Sequence, residues 1–156
     1  MSIPEKLRNY MTEHRATWDV CEHARTASST QTLRVTHIPA ERLAKSVVLE
    51  DDDGYLMIVL PASGRVDLAA VNRMLNRNLR LASEPDVVRL FDDCDPGAIP
   101  AIGPAYGVRT MVDESLLMQP EIYFEAGDHT ELIHMSCEKF MELMAGVPRG
   151  KFMVRH

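Results

Sequence analysis

Cysteine is scarce, and the few residues stand apart. Cys21, Cys94 and Cys137 are odd in number and widely spaced. That excludes a disulfide framework and any CxxC metal or redox motif, and it points to a reducing cytoplasm. The histidines do not cluster. His129 and His134 lie five apart across a turn and a strand, and there is no HxxxH or HExxH pair, so no zinc set can be read and no metal is expected. No apolar run approaches the ~20 residues of a membrane span. Met1 to Arg8 mixes charge with proline where a signal peptide would have an apolar segment. Repeats, low-complexity tracts and long blocks of like charge are absent. There is no GxSxG nucleophile elbow, and the stretch Gly97 to Gly103 lacks the Lys-Ser/Thr that completes a P-loop. A classical serine hydrolase and a P-loop nucleotidase are therefore disfavoured, and no cofactor is implied. Positive charge is also short: the net charge is -6. This argues against a protein that coats DNA or RNA non-specifically, but leaves room for a local patch.

What is present suits a single globular domain spanning residues 1–156. The chain has 156 residues, of which 46% are hydrophobic, enough for a real core. Ser2-Ile3-Pro4-Glu5 reads as a capping box, followed by a helical face of Ile3, Leu7, Tyr10 and Met11. A short strand follows near Trp18 to Glu22, then a polar turn from Thr26 to Thr30 that caps a helix ending near Thr36. Leu43 to Leu49 and Tyr55 to Leu60 read as two strands joined by a hairpin turn at Asp51-Asp52-Asp53-Gly54. That acidic turn lacks the alternation and distal Glu of an EF-hand. Asp67 and Ser83 cap two further helices. Strands follow at Val108–Val112, Glu121–Ala126 and Thr130–Met135, and Ser136 caps a last helix running to about Ala145. Hairpins outnumber regular βαβ units, which predicts an α+β domain with a curled mixed β-sheet flanked by helices.

Three features carry candidate chemistry. The first is the loop Asp95-Pro96-Gly97-Ala98-Ile99-Pro100-Ala101-Ile102-Gly103-Pro104. It is apolar enough to be buried, yet its prolines and glycines forbid a helix or a central strand. Taken alone it reads as a rigid connection between two elements. The second is Lys45, which interrupts the apolar strand Leu43-Ala44-Lys45-Ser46-Val47-Val48-Leu49. It is either a strand-edge lysine with a packed stem or a desolvated cation that holds an anion or acts as a base. The third is His129, at a strand entry after Gly127-Asp128. Ser136-Cys137-Glu138-Lys139 matches SxxK without its companion motifs and reads as a cap and a surface lysine. The C-terminal stretch Arg149 to His156 is locally basic, and reads as a solvated tail or as a segment reaching phosphates.

In register, these pieces resemble the YbaK/proline-tRNA-synthetase-associated domain family, the trans-editing aminoacyl-tRNA deacylases. Arg42 to Leu49 resembles the family's lysine-bearing strand, Gly97 to Gly103 its Gly-x-x-x-Pro-Phe-Gly loop, Val112 to Leu117 the strand after it, and Ala126-Gly127-Asp128-His129 the following turn. The correspondence runs from about His23 to Leu143. Ala101 stands where the family usually has Pro, and Ile102 where it often has Phe. The departures bear on pocket shape and hence on which amino acid is removed.

The resemblance implies hydrolysis of the ester of a mischarged tRNA, foremost tRNA for proline carrying alanine or cysteine. In that reading Lys45 binds the terminal phosphate or holds the ester, with Ser46 beside it. Backbone N–H groups around Gly103 stabilise the oxyanion. Ala101 and Ile102 shape a small apolar pocket, and His129 orients substrate or water. The implied partner is the acceptor end of aminoacyl-tRNA, with a tRNA synthetase as a further candidate. A non-catalytic module that binds tRNA ends or regulates another protein is the alternative, and an unrelated small-molecule binder is the third.

Overall fold

The computed structural model describes residues 3–26, 28–95 and 97–155. Ser2 of the capping box, Ala27 of the polar turn and Pro96 of the loop lie outside the described residues. The helices are α1 (Glu5–Glu13), α2 (Ser29–Thr36), α3 (Leu68–Leu75), α4 (Glu84–Leu90) and α5 (Cys137–Leu143). The strands are β1 (Asp19–Glu22), β2 (Leu43–Asp51), β3 (Gly54–Pro61), β4 (Gly64–Val66), β5 (Arg80–Leu81), β6 (Thr110–Asp113), β7 (Glu121–Glu125), β8 (Glu131–Ser136), β9 (Arg149–Gly150) and β10 (Met153–Arg155). The main sheet runs β1-β8-β7-β2-β3-β6-β9, with β5 also paired to β2, while β10 and β4 form a separate ribbon. Parallel pairs (β2 with β7, β3 with β6, β6 with β9) mix with antiparallel ones, as an α+β fold with a curled mixed sheet requires.

The central strand β3 is buried on both faces, which is why it reads as a continuous apolar run. Met57 and Val59 face a cluster with Leu7 and Met11 of α1, Phe140 of α5, and Ala101 and Ile102. Leu56, Ile58 and Leu60 face a second cluster with Val71 of α3 and Phe152. The alternation is the period-two pattern of a strand, with core on either side.

Four helix starts obey the capping signals; α1 instead begins at Glu5 directly after Pro4, with no side-chain cap among the described residues, so Glu5 does not occupy the third helical position that the expected capping box needs. Ser28, Asp67, Ser83 and Ser136 each accept a hydrogen bond from a backbone N–H in the first turn of α2, α3, α4 and α5. Ser136 therefore works as a cap, and Lys139 pairs with Glu142 at 3.1 Å on the surface. The hairpin turn at Asp51 is held by Arg77, which donates to both carboxylate oxygens at 2.7 and 2.6 Å.

The C-terminal segment corrects the expectation of a solvated basic tail. Arg149 and Gly150 pair in parallel with Val112 and Asp113, and Met153 to Arg155 pair with Gly64 to Val66. Phe152 between them is 1% exposed, and its N–H donates to Asp113 at 3.0 Å. The alternation of Arg, Lys and Gly around one phenylalanine hides a strand whose anchor is a single buried ring.

Phe152→Ala should destabilise the protein by about 3–5 kcal/mol, the cost of emptying a buried aromatic site. Urea unfolding followed by circular dichroism measures it. A loss near zero would mean that the segment is not docked in solution.

Candidate functional site

Strand β2 is paired along its whole length to β3, but its other edge is shared by two partners. Leu43 and Ala44 pair with Tyr123 and Phe124 of β7, while Leu49 and Glu50 pair with Leu81 and Arg80 of β5. Between them the sheet splits. The Ala62 N–H donates to the Leu43 carbonyl at 2.8 Å, so the odd-numbered residues of β2 turn their backbone groups toward β3 and the even-numbered ones turn theirs toward the split. The Ala82 N–H accordingly reaches the Val48 carbonyl at 2.9 Å. By the same alternation, the backbone N–H and C=O of Ser46 face the opening.

The opening is a cavity of about 280 Å³, lined by Ala44 to Val48, Leu81, Ala82, Val87, Gly97, Ile99, Ser29 and Glu125. Most of the wall is apolar, with Lys45 and Glu125 as its charged side chains. Half-buried Lys45 has its ammonium pKa pulled below the usual lysine value by desolvation. The Ser46 hydroxyl donates to the Pro100 carbonyl at 3.4 Å, which ties the Pro/Gly loop to β2. The loop entrance is fixed from the other side: Asp95 N–H donates to the Gly127 carbonyl at 2.7 Å, and Arg25 bridges Asp95 and the Asp128 carbonyl.

Behind Glu125 lies a buried polar cluster that the sequence reading missed. Burial raises the Glu125 pKa, opposed by a hydrogen bond from the Thr32 hydroxyl at 2.9 Å and by the nearby His23 and His129. Thr32 in turn meets the Thr26 hydroxyl at 2.7 Å. His23 Nε2 lies 3.8 Å from Glu125 Oε2. In sequence, Glu125 closes an alternating strand and looks like a solvent-face carboxylate. Only the return of α2 over that face buries it.

The expected site residues separate into two groups. Lys45 and Ser46 line the cavity, and His129 is buried next to the Glu125 cluster. Gly103, Ala101 and Ile102 are not among the lining residues. Ala101 and Ile102 are fully buried in the main core, so the cavity wall is formed instead by Ile99, Val48 and Val87. Gly103 starts a 3-10 turn packed on β6, where a Cβ would overlap Thr110 Oγ1 and come within 3.1 Å of the Val108 carbonyl. The loop glycine at the cavity is Gly97, whose φ of 82° favours a residue without Cβ.

A larger cavity, about 540 Å³, lies elsewhere, between Leu75 of α3, Met111 of β6 and Pro148. Its titratable side chains are Arg77, already committed to Asp51, and Arg109, so it offers no acid–base pair. Cys94 lies outside both linings, and burial pushes its thiol up to about 12, which removes it as a nucleophile. Among the described residues, no group of three His, Cys, Asp or Glu is placed to hold a metal ion, and no helix is long and apolar enough to cross a membrane.

Residues 21–143 match the family model for the aminoacyl-tRNA editing domain. No curated protein matches the chain. Among solved structures, a candidate signal transduction protein from Marinobacter aquaeolei VT8 is 25% identical with a TM-score of 0.78, over 98% of this chain but only 31% of that one. The hypothetical protein APE2540 is 20% identical with a TM-score of 0.83, over 96% of this chain and 100% of that one. A candidate trans-editing enzyme for prolyl tRNA synthetase is 19% identical with a TM-score of 0.80, over 97% and 96% of the two chains.

The placement of Gly103 generates a stability test. Gly103→Ala should lower the melting temperature, and Thr110→Ala in the same chain should recover part of the loss, with a coupling above about 0.5 kcal/mol. Thermal melts of the two single variants and the double variant measure it. Simple additivity would show that the clash with Thr110 is not the cause.

Proposed function

The chain belongs to the aminoacyl-tRNA editing domain family, and on that premise we propose that it hydrolyses the ester of mischarged aminoacyl-tRNA. The observation that carries the reading is the cavity at the split of β2, with Lys45 and Ser46 in its wall. The ester joins an amino acid to the terminal ribose. Water adds to its carbonyl carbon, the carbonyl oxygen takes the negative charge, and the bond to the ribose oxygen then breaks. That oxygen leaves with a proton as a hydroxyl. Free amino acid and intact tRNA are the products.

Each lining group has a part in this chemistry. Lys45 places a cation in an apolar wall, where it attracts the terminal phosphate or the developing oxyanion more strongly than in water. The Ser46 N–H, turned to the opening, is a donor for the same oxygen. The Ser46 hydroxyl is engaged with Pro100, which supports direct attack by water over an acyl-enzyme. Gly103 acts one step removed, by seating the loop that carries Gly97 and Ile99. Ala101 and Ile102 back that loop from the core, and His129 packs behind Glu125 and helps to hold the polar wall.

A cavity of about 280 Å³ is at the small end for ligand sites. It suits a small aminoacyl group, alanine or cysteine, and excludes bulky ones by clash. The structural neighbour described as acting for prolyl tRNA synthetase supports tRNA for proline as the carrier, and a synthetase of that system as a partner.

Lys45→Ala should cut release of alanine from alanyl-tRNA for proline by roughly 100-fold or more, the scale of losing one transition-state electrostatic contact. Lys45→Arg should recover little of it. Circular dichroism of both variants should match the wild type. Because burial lowers the Lys45 pKa, the Lys45-dependent part of the rate should decline as pH rises, starting below the ordinary lysine value of about 10.4. Near-wild-type turnover by Lys45→Ala would overturn the role, and binding of the tRNA without release would favour a non-catalytic module.

A further inference from the structure

Glu125 is a buried carboxylate with one oxygen provided for and one not. Oε1 accepts from Thr32 at 2.9 Å, whereas Oε2 has no hydrogen-bond partner. The residue is 6% exposed, yet it lines the cavity with Lys45. Facing Oε2 at 3.8 Å is Nε2 of His23, which also lacks a hydrogen-bond partner. The other ring nitrogen of His23, Nδ1, lies 2.7 Å from the Ala24 carbonyl. A carbonyl only accepts, so Nδ1 carries the proton, and in the neutral ring Nε2 presents a lone pair. Glu125 Oε2 is thus a buried acceptor without a hydrogen-bond donor, an arrangement that costs stability until a donor arrives.

We propose that Glu125 receives the α-ammonium group of the aminoacyl ester, with His23 positioning the carboxylate from outside the cavity lining, so that the site acts only on esters with a free α-amine. The inference rests on the deacylase reading above. An ammonium has three N–H donors and a positive charge, which suits a buried carboxylate oxygen that has no donor of its own. The sheet fixes the geometry. Leu43 and Ala44 pair with Tyr123 and Phe124, so one residue further on the adjacent strands carry Lys45 and Glu125. The cavity thus has a cationic wall and an anionic wall one strand apart. An aminoacyl ester matches that polarity, with an ammonium two bonds from a carbonyl that becomes negative. N-acylated esters, including peptidyl-tRNA, present no ammonium and would leave Glu125 unpaired.

The test separates binding from turnover. Wild type, Glu125→Gln and His23→Ala are titrated with two non-hydrolysable amide analogues, 3′-alanylamino- and 3′-lactylamino-adenosine, which differ only in ammonium against hydroxyl. Wild type should prefer the alanyl compound by about 10–100-fold, the scale of a charge-assisted hydrogen bond, and Glu125→Gln should erase most of that preference. His23→Ala should reduce it less. Equal affinities in the wild type, or a preference that survives Glu125→Gln in a folded variant, would overturn the inference. In parallel, alanyl-, lactyl- and N-acetylalanyl-tRNA are offered as substrates, each rate divided by that ester's uncatalysed rate. Glu125→Gln should slow only the alanyl ester, and an equal slowing of all three would also overturn the inference. Failure of the wild type to release alanine at all overturns the deacylase reading, while the analogue titration still decides the role of Glu125.

Discussion

The site depends on one strand having too few partners on one edge. β2 is matched residue by residue to β3, but β7 covers only its beginning and β5 only its end. Buried backbone groups need partners. Val48 finds one in Ala82, and the Pro/Gly loop is drawn in against the gap, where Ser46 reaches the Pro100 carbonyl. A helix could not fill this space, because its own backbone groups are already paired internally. An irregular segment can, and the prolines and glycines keep it irregular. The cavity is what the loop leaves unfilled.

Burial does the same thing to two opposite charges there. It lowers the pKa of Lys45 and raises that of Glu125, in both cases by disfavouring the ionised form. Opposite charges held one strand apart in apolar surroundings match, on the proposed reading, the polarity of an aminoacyl ester.

Much of the frame was legible in the sequence because it follows short-range rules. The caps at Asp67, Ser83 and Ser136, the capping turn that contains Ser28, the hairpin at Asp51 and its returning strand β3 are local signals, and the structure contains each of them. Lys45 was legible as a lone charge in an apolar strand. What escaped was decided by distant packing. Strands β4, β5, β9 and β10 have two or three residues each, too few for a periodic signal. Phe152 docks because α3 and β3 leave a space for it, and nothing in its own neighbours announces that. Glu125 ends a strand with the alternation of a half-exposed sheet, and its burial beneath Thr32 and His23 joins segments nearly a hundred residues apart.

The two loop glycines show why a motif does not by itself locate a ligand. Gly97 and Gly103 bracket the same segment, and both resist a side chain for reasons visible in the fold. Gly97 does so through a left-handed backbone at the cavity. Gly103 does so because Thr110 and the Val108 carbonyl occupy the space a Cβ would need. One requirement comes from chain geometry beside the opening and the other from close packing behind it. Ala101 and Ile102 lie with Gly103 on the packed side, at 0% exposure. A change in their volume therefore reaches the cavity only by shifting the loop that carries Ile99. On the proposed deacylase reading, selection among small aminoacyl groups then depends on how rigidly that loop is held, which makes the ties at Ser46, Asp95 and Arg25 as much a part of specificity as the wall itself.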